Sequence, residues 1–458
     1  MELPTAVKHA LDAHADPDSP VYEVADIQPG DDDIRMVLLQ EGADKLQVIC
    51  RCRDLLDLSR LNQALKSSYR LVGEKEHQRL KQRLGVDSLP ALPGLTGWST
   101  VVDERVDRQD GVSLVVSPHG PRVTMPREAF QSLTSQARRL SVSVPVENID
   151  VNDSDPERDL EQVHTAVQRF TGRRIQQRLE DTLELPPLPE TAQRIIHLRV
   201  NPNALMGDLV DVVENDPSLA AQVVSWASSS FYAAAGQVRS VHDAVSRVLG
   251  FDLVMNLAMG LSLGRALHPP EDEPQGYIGY WQQAIWQAQA AGVLAAMMRR
   301  GERPSFGLSY LAGLLHNFGY LVLNQVFRPQ FRLICRNIEA NPQLDSSVIE
   351  HELLGVTREQ LGAQLMENWG MPDEVTVALR YQKNPGYRGP NAVYARILWL
   401  SRQLLIERGI DMGVAQPVPD DLYDELGLNR DDVAEQFDLM LDKRDSILAM
   451  AGMMQSAT

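Results

Sequence analysis

The sequence has few cysteines and no long apolar run. Three of its 458 residues are cysteine (Cys50, Cys52 and Cys335), which is too few and too scattered for a disulfide framework. No stretch reaches the roughly 20 consecutive apolar residues that span a bilayer. The first four residues, Met-Glu-Leu-Pro, lack the basic and apolar regions of a secretory signal. We therefore predict a cytoplasmic protein with no membrane partner.

Positive charge is also scarce. The chain carries 44 Lys and Arg residues against 62 Asp and Glu residues, a net charge of −18. This negative excess opposes non-specific binding to nucleic acid over most of the surface. Residues 51–83 are locally rich in Lys and Arg and could meet an RNA backbone, although a solvated helix face is the commoner origin of such a run.

Short strand patterns alternate with helix patterns in the first third of the chain. Residues 36–39 and 46–50 are β-rich and flank a turn-prone Glu-Gly-Ala-Asp at 41–44. Apolar residues then recur at helical spacing over 55–65, and residues 112–116 return to strand chemistry. This alternation predicts an α/β or α+β domain.

An acidic segment follows, and beyond it the pattern is helical. Residues 146–160 are rich in Asp, Glu and Asn and offer little to bury, so we predict an exposed linker. The apolar residues beyond it recur at helical spacing. The predicted fold is therefore two-domain, with an α/β domain over residues 1–145, an all-α domain over 161–410 and an acidic helical tail over 411–458.

Several motifs occur in a specific order in the helical half. They are Leu-Pro-Pro-Leu-Pro-Glu at 185–190, Val-Glu-Asn-Asp-Pro-Ser-Leu at 213–219, Ala-Val-Ser-Arg-Val-Leu-Gly at 244–250, Leu-Leu-His-Asn-Phe-Gly at 314–319 and Trp-Gly-Met-Pro at 369–372. This series resembles the HDOD domain, the HD-related output domain of bacterial signalling proteins. The resemblance implies an all-helical regulatory or scaffold module without established catalysis.

The adjacent pair His316 and Asn317 departs from the site of HD phosphohydrolases. There, an adjacent His and Asp bind a metal ion that activates water, whereas Asn317 offers a neutral carbonyl. The resemblance places further degenerate ligand positions at Gln283, Thr357-Arg358, Tyr381-Gln382 and Ser401. A lone His cannot hold a catalytic metal. We predict no metal and no cofactor, with His316 a core residue.

The N-terminal region resembles a second family. Ala-Asp-Lys-Leu-Gln-Val-Ile at 43–49 and Leu-Pro-Gly-Leu at 92–95 resemble the YbaK-like aminoacyl-tRNA deacylase domain, which edits mischarged tRNA. The resemblance implies that Lys45 would contact the aminoacyl ester in an active domain, and that Gly94 and Gly97 would supply loop N–H groups to a ligand. Lys45 could instead be a strand-edge lysine in an ion pair with Asp44.

These residues leave two main functions open. The first, which we predict, is a non-catalytic signalling scaffold whose HDOD domain binds signalling proteins and whose YbaK-like domain acts as a sensor or adaptor. A nucleotide second messenger could bind such a scaffold without being cleaved. The alternative is an aminoacyl-tRNA deacylase regulated by the HDOD domain, with the tRNA 3′ end or an aminoacyl group as its ligand. A phosphohydrolase is a third function, and the Asn at position 317 argues against it.

Overall fold

The chain folds into two compact units in the computed structural model. Unit 1 comprises Met1–Asp150, Pro274–Gly276 and Arg332–Ile349, and unit 2 comprises Val151–Glu273, Tyr277–Phe331 and Glu350–Thr458. The structure describes residues 3–12, 22–25, 30, 33–116, 122–152, 154–171, 188–232, 236–411 and 413–455. Residues 1–2 and the start of the Leu-Pro-Pro motif, 185–187, lie outside the described residues.

A mixed β-sheet forms the centre of unit 1. Its strands are β1 (Glu23–Ala25), β2 (Asp33–Glu41), β3 (Asp44–Arg51), β5 (Arg70–Leu71), β6 (Ser99–Asp103), β7 (Gly111–Val115), β8 (Arg122–Pro126) and β9 (Arg138–Leu140), while β4 (Asp54–Leu56) pairs separately with β10 (Ser143–Pro145). The sheet order is β1-β8-β7-β2-β3-β6-β9, with β5 paired to the end of β2. β2 and β3 form an antiparallel hairpin, and β6 runs parallel to both β3 and β9.

Apolar cores cover both faces of this sheet. Successive residues of a strand point to opposite faces, so Val48 of β3 enters one core and Ile49 enters the other. Phe130 joins the Ile49 core, and Leu61 joins the Val48 core. The helices that supply these cores are α1 (Thr5–Asp12), α2 (Leu58–Leu65), α3 (Glu74–Leu84) and α4 (Arg127–Leu133). The predicted α/β fold of the N-terminal region is confirmed.

Unit 1 also contains a segment that is remote in sequence, Arg332–Ile349. The buried side chain of Asn341 pairs with the backbone of Leu56: its Oδ1 accepts from the Leu56 N–H at 2.7 Å, and its Nδ2 donates to the Leu56 carbonyl at 2.9 Å. Arg35 donates to the same Oδ1 at 2.6 Å. Asn337 accepts from the Leu58 N–H at 3.1 Å. The unit therefore includes residues that the predicted boundaries assign to the helical domain.

The described part of the chain beyond residue 155 is helical. Its helices are α5 (Pro156–Thr171), α6 (Glu190–Val200), α7 (Met206–Glu214), α8 (Pro217–Ala227), α9 (Val241–Asp243), α10 (Phe251–Gly264), α11 (Tyr280–Met297), α12 (Phe306–Leu315), α13 (Phe318–Val326), α14 (Arg328–Ala340), α15 (Ser346–Leu354), α16 (Arg358–Asn368), α17 (Asp373–Tyr381), α18 (Ala392–Glu407), α19 (Asp420–Glu425), α20 (Arg430–Asp442) and α21 (Arg444–Gln455), with a π-helix at Ala244–Leu249. The predicted helical second domain is confirmed.

The end of the predicted linker is a helix that packs within unit 2. α5 begins at Pro156, and its Asp159 is buried. The Asp159 carboxylate accepts two hydrogen bonds from the Arg380 guanidinium and one from Gln360 Nε2 at 2.6 Å. Asn152 donates to the same carboxylate at 2.8 Å. An acid that looks solvated in the sequence is thus the buried partner of an arginine more than 200 residues away.

A long apolar stretch lies in the core of unit 2. Phe306–Val326 spans 21 residues and contains an 18-residue window with a mean hydropathy of 1.3, enough by length and composition to cross a membrane, but 94% of that window is buried inside the protein. The stretch is not one continuous helix. α12 ends at Leu315 and α13 begins at Phe318, so the break coincides with His316 and Asn317.

The C-terminal helices pack within unit 2. Phe437 of α20 and Met450 of α21 are fully buried, and α21 packs against α11. Lys443, between the two helices, donates to the Phe231 carbonyl at 3.1 Å and lies 4.9 Å from the centre of the Phe231 ring. The described part of the tail predicted over residues 411–458 therefore packs against the other helices of unit 2.

Candidate functional site

The residues predicted at the degenerate HD positions meet in unit 2. Asn317 Nδ2 donates to Gln283 Oε1 at 3.2 Å, and Asn317 Oδ1 accepts from Arg358 Nη1 at 3.1 Å. Gln382 Nε2 donates to the backbone carbonyl of His316 at 2.7 Å. These contacts join α11, the start of α13, α16 and the end of α17. We call this group, together with the partner of Arg358 described below, the polar centre: Gln283, His316, Asn317, Glu350, Arg358 and Gln382.

The remaining predicted positions have other partners. Thr357 is the N-cap of α16. The Tyr381 ring stacks on the Tyr387 ring with 3.8 Å between ring centres. Ser401 Oγ accepts from Gln287 Nε2 at 2.8 Å. The resemblance therefore located several members of the polar centre, but not every position it marked belongs to one hydrogen-bonded group.

His316 is held as a neutral, buried ring. Its Nδ1 lies 2.8 Å from the Gly313 carbonyl, and since a carbonyl only accepts, this nitrogen carries the proton. Burial lowers the pKa of His316 from 6.5 to about 4; Asp411 and the Gly313 bond oppose this shift, and Arg402 and Arg358 add to it. The two hydrogen bonds, from the ring to Gly313 and from Gln382 to the His316 carbonyl, hold the break between α12 and α13.

Arg358 and Glu350 form a buried ion pair in the polar centre. Glu350 is fully buried and Arg358 is 8% exposed. Arg358 Nε donates to Glu350 Oε1 at 2.5 Å, Nη2 contacts the same oxygen, and the Arg358 backbone N–H donates to Glu350 Oε2 at 2.9 Å. Burial raises the pKa of the Glu350 carboxyl, and the Arg358 guanidinium opposes that shift. Sequence reasoning missed Glu350, because a lone Glu in a helix gives no sign of its burial.

The donor set of the polar centre does not suit a divalent metal ion. Such an ion prefers several anionic oxygen or free imidazole ligands, whereas this group offers amide oxygens, one unprotonated imidazole nitrogen (Nε2 of His316) and a single carboxylate. That carboxylate, from Glu350, is already neutralised by Arg358, whose guanidinium would repel a second cation. Among the residues that the structure describes, no three His, Cys, Asp or Glu side chains lie together in a metal-binding arrangement.

The second set of predicted residues lies in unit 1, around Lys45 at the start of β3. Lys45 Nζ donates to Gln40 Oε1 at 2.8 Å and to Glu76 Oε2 at 2.8 Å. The ammonium also lies 5.6 Å from the centre of the Trp98 ring. The Lys45 side chain is 25% exposed and that of Glu76 is 42% exposed. The lysine is therefore reachable from solvent but already paired with a carboxylate.

Gln47 holds the loop that contains Gly94 and Gly97. Its fully buried amide donates to the carbonyls of Pro93 at 3.1 Å and Trp98 at 3.3 Å. Gly97 has a φ of +71°, a conformation that favours glycine, and its N–H donates to the Pro93 carbonyl at 3.3 Å. The structure thus places the predicted loop near Lys45 through Trp98, but the Gly97 N–H is used within the loop.

Sequence reasoning missed Gln47, Glu76 and Trp98 in this arrangement. One signal was available for Gln47, since side chains two residues apart on a strand share a face. Lys45 and Gln47 are two residues apart on β3. The predicted Lys45–Asp44 ion pair is wrong, because Lys45 pairs with Glu76 instead. Glu76 lies on a separate helix, α3, and nothing in the sequence indicates that it pairs with Lys45.

Comparison with known proteins gives the family of the helical half. Residues 185–385 match the HDOD domain family. A protein from Marinobacter aquaeolei VT8, provisionally assigned to signal transduction, has a solved structure that is 62% identical in sequence; the match covers 99% of this chain and 100% of that chain, with a TM-score of 0.92. An HDOD domain protein of unknown function from Geobacter sulfurreducens is 19% identical, with 66% of this chain and 99% of that chain covered and a TM-score of 0.50, and shares the fold.

An uncharacterized protein from Treponema pallidum (strain Nichols) is 26% identical over 213 residues, or 46% of this chain. The matched part spans 39% of that protein's own length. The Marinobacter protein, in contrast, matches along nearly the whole chain, the N-terminal unit included. Residues 185–385 of this chain therefore form an HDOD domain.

Proposed function

We propose that this protein is a non-catalytic signalling scaffold, in which the HDOD domain binds signalling proteins and the N-terminal unit acts as a sensor or adaptor. One observation carries the proposal: Arg358 and Asn317, both at positions where the HD resemblance implies metal ligands, are bonded to each other, and the Arg358 guanidinium is also bonded to Glu350. A phosphohydrolase of this kind needs a metal-activated water as its nucleophile. The likeness to a protein assigned to signal transduction supports the functional class.

The test of this function is a hydrolysis assay combined with metal analysis. Full-length protein is incubated with cyclic dinucleotides and with bis-p-nitrophenyl phosphate, each with added Mn²⁺ or Mg²⁺. We expect no turnover above the buffer rate and less than one metal ion per ten chains after dialysis against a chelator. Turnover that disappears in His316→Gln, or one metal ion per chain that survives chelation, would overturn the proposal. Equilibrium binding of a cyclic dinucleotide without cleavage would identify the partner as a second messenger.

A second candidate function rests on the surroundings of Lys45. In a YbaK-like domain, the Lys45 ammonium would stabilise negative charge on an aminoacyl ester, and the loop that Gln47 holds would face the same ligand. The proximity of Lys45 to Trp98 in that loop favours this alternative, an aminoacyl-tRNA deacylase. The Glu76 carboxylate weighs against it, because a neutralised ammonium stabilises a developing oxyanion poorly.

Hydrolysis of mischarged aminoacyl-tRNAs separates the two functions. The full chain is needed, since Arg332–Ile349 is part of unit 1. If the deacylase function holds, Lys45→Ala should reduce turnover at least about 100-fold, as is typical when an oxyanion-stabilising group is removed. Lys75→Ala, at an exposed neighbouring lysine, is the matched control and should leave turnover unchanged. No turnover from folded wild-type protein on any tRNA would leave the scaffold function standing.

A further inference from the structure

One guanidinium in the HDOD domain connects three separate helices. Arg358 is the first residue of α16, its main partner Glu350 lies on α15, and its second partner Asn317 directly precedes α13. The carbon at the centre of the guanidinium also lies 4.7 Å from the centre of the Tyr320 ring on α13. A planar guanidinium can satisfy partners in several directions at once. Arg358 uses both its edges and its face.

The position of Arg358 is fixed by its backbone as well as by its side chain. A Cβ added to Gly319 of α13 would overlap the Arg358 carbonyl oxygen and would lie 2.7 Å from the Arg358 carbonyl carbon. The backbones of α13 and α16 are therefore in direct contact at Arg358, the residue that carries the guanidinium. This contact fixes the Arg358 backbone, and the hydrogen bonds to Glu350 and Asn317 fix the position of the guanidinium.

The charged groups around this guanidinium balance one cation at the Arg358 position and no more. Glu350 is the carboxylate that Arg358 neutralises, and the nearby Glu359 is paired with Lys383 at 3.0 Å. His316, close to the pair, is neutral. Without Arg358, Glu350 would be a buried charge that has lost its directly bonded cation, which is strongly unfavourable. With Arg358 present, a metal ion would meet an excess of positive charge.

We propose that Arg358 is a resident cation: its guanidinium takes the place of a divalent metal ion and holds α13, α15 and α16 together. The domain then needs no ion to reach its folded arrangement and has none to lose. This inference rests on the non-catalytic function proposed above and adds a role for one residue to it. Hydrolysis by the wild-type chain would overturn that function, whereas the unfolding measurements below decide the role of Arg358 separately.

Thermal unfolding of a single and a double charge variant tests the proposal. The variants are Arg358→Met, which removes the cation, and the double variant R358M/E350Q, which removes both charges. Arg358→Met should lower the unfolding midpoint by roughly 10 °C, because one partner of a buried ion pair is left alone. The double variant should recover at least half of that loss. Should it recover nothing, or should Arg358→Met unfold at the wild-type temperature, the guanidinium is not needed as a cation and the proposal fails.

A free cation should partly replace the side chain in Arg358→Ala. The truncation leaves space beside Glu350, so 1 mM Mn²⁺ or 20 mM methylguanidinium should raise the midpoint by several degrees through binding to the folded state. Wild type and R358A/E350Q are the controls and should not respond to either cation. If Arg358→Ala does not stay folded, recovery of soluble protein after refolding with and without Mn²⁺ gives the same comparison. Equal behaviour with and without the cations would overturn the inference.

Discussion

Replacing Gly319 with alanine is expected to destabilise the HDOD domain by more than about 3 kcal/mol, or to prevent it from folding. The new methyl group would overlap the Arg358 carbonyl oxygen and would lie 3.0 Å from the Gly362 nitrogen. These are backbone atoms of α16, so no side chain can rotate away to make room. α13 and α16 would have to separate, which would also disturb the edge-to-face contact between Phe318 and Trp369, whose ring centres are 5.7 Å apart.

Gly452→Ala is the matched control for this substitution. Gly452 lies inside α21, and a Cβ added there meets no atom within 4 Å. Alanine should therefore stabilise that helix by up to about 1 kcal/mol through its higher helix propensity. The unfolding of both variants in urea is monitored by circular dichroism. A Gly319→Ala protein as stable as Gly452→Ala would show that α13 and α16 do not approach as closely as the structure has them.

Asn341→Ala should destabilise unit 1 by about 2–5 kcal/mol. Asn341 supplies hydrogen bonds to both the N–H and the carbonyl of Leu56, and it also accepts from Arg35. Alanine leaves these buried groups without their partner, and each unsatisfied group costs about 1–3 kcal/mol. The loss is measured by urea unfolding, and hydrogen exchange of the Leu56 amide locates it. We expect the protection of that amide to fall together with the stability.

An exposed asparagine provides the comparison for Asn341. Asn203 lies in the turn between α6 and α7 and is exposed to solvent, so Asn203→Ala should change the stability by less than about 0.5 kcal/mol. Hydrogen exchange at Leu56 should be the same in Asn203→Ala and wild type. If Asn341→Ala also leaves that amide protected, the side chain does not serve as the partner of β4.

Local patterns in the sequence were enough for several elements. The Asp-Pro at 216–217 predicts a capped helix start, and Asp216 accepts from the Leu219 N–H at 3.0 Å at the beginning of α8. The β-rich residues around the turn at 41–44 form the β2–β3 hairpin. These elements could be predicted because their signals are short-range: a cap, a turn, or alternation with a period of two.

Long-range pairing limited the rest of the fold. Asn337 and Asn341 look like ordinary surface residues of a helix end, yet both are fully buried against the backbone near β4. The break at His316 depends on an amide from Gln382, 66 residues further along. Polar side chains that bind distant backbone groups leave no periodic signal in the sequence. For this reason, neither the inclusion of Arg332–Ile349 in unit 1 nor the helix break at His316 could be predicted.

The candidate sites were predicted in outline only. The HDOD resemblance pointed to His316, Asn317 and Arg358, which lie together, but gave no hint that Glu350 neutralises the arginine. The YbaK-like resemblance likewise pointed to Lys45 and left out Glu76. In both cases the missing residue is the acid that pairs with a predicted base, and such pairing is a property of the folded chain.

The inclusion of Arg332–Ile349 in unit 1 has a consequence for synthesis on the ribosome. The last of the early residues of this unit, near Asp150, emerges about 200 residues before Ile349. At roughly 5–20 residues per second, the early part of the sheet waits about 10–40 seconds for the segment that completes it. During that interval the backbone groups of Leu56 and the apolar core that Ala340 later joins lack their final partners. Unit 1 is the first unit whose synthesis begins, but it can complete its fold only after most of the chain has been made.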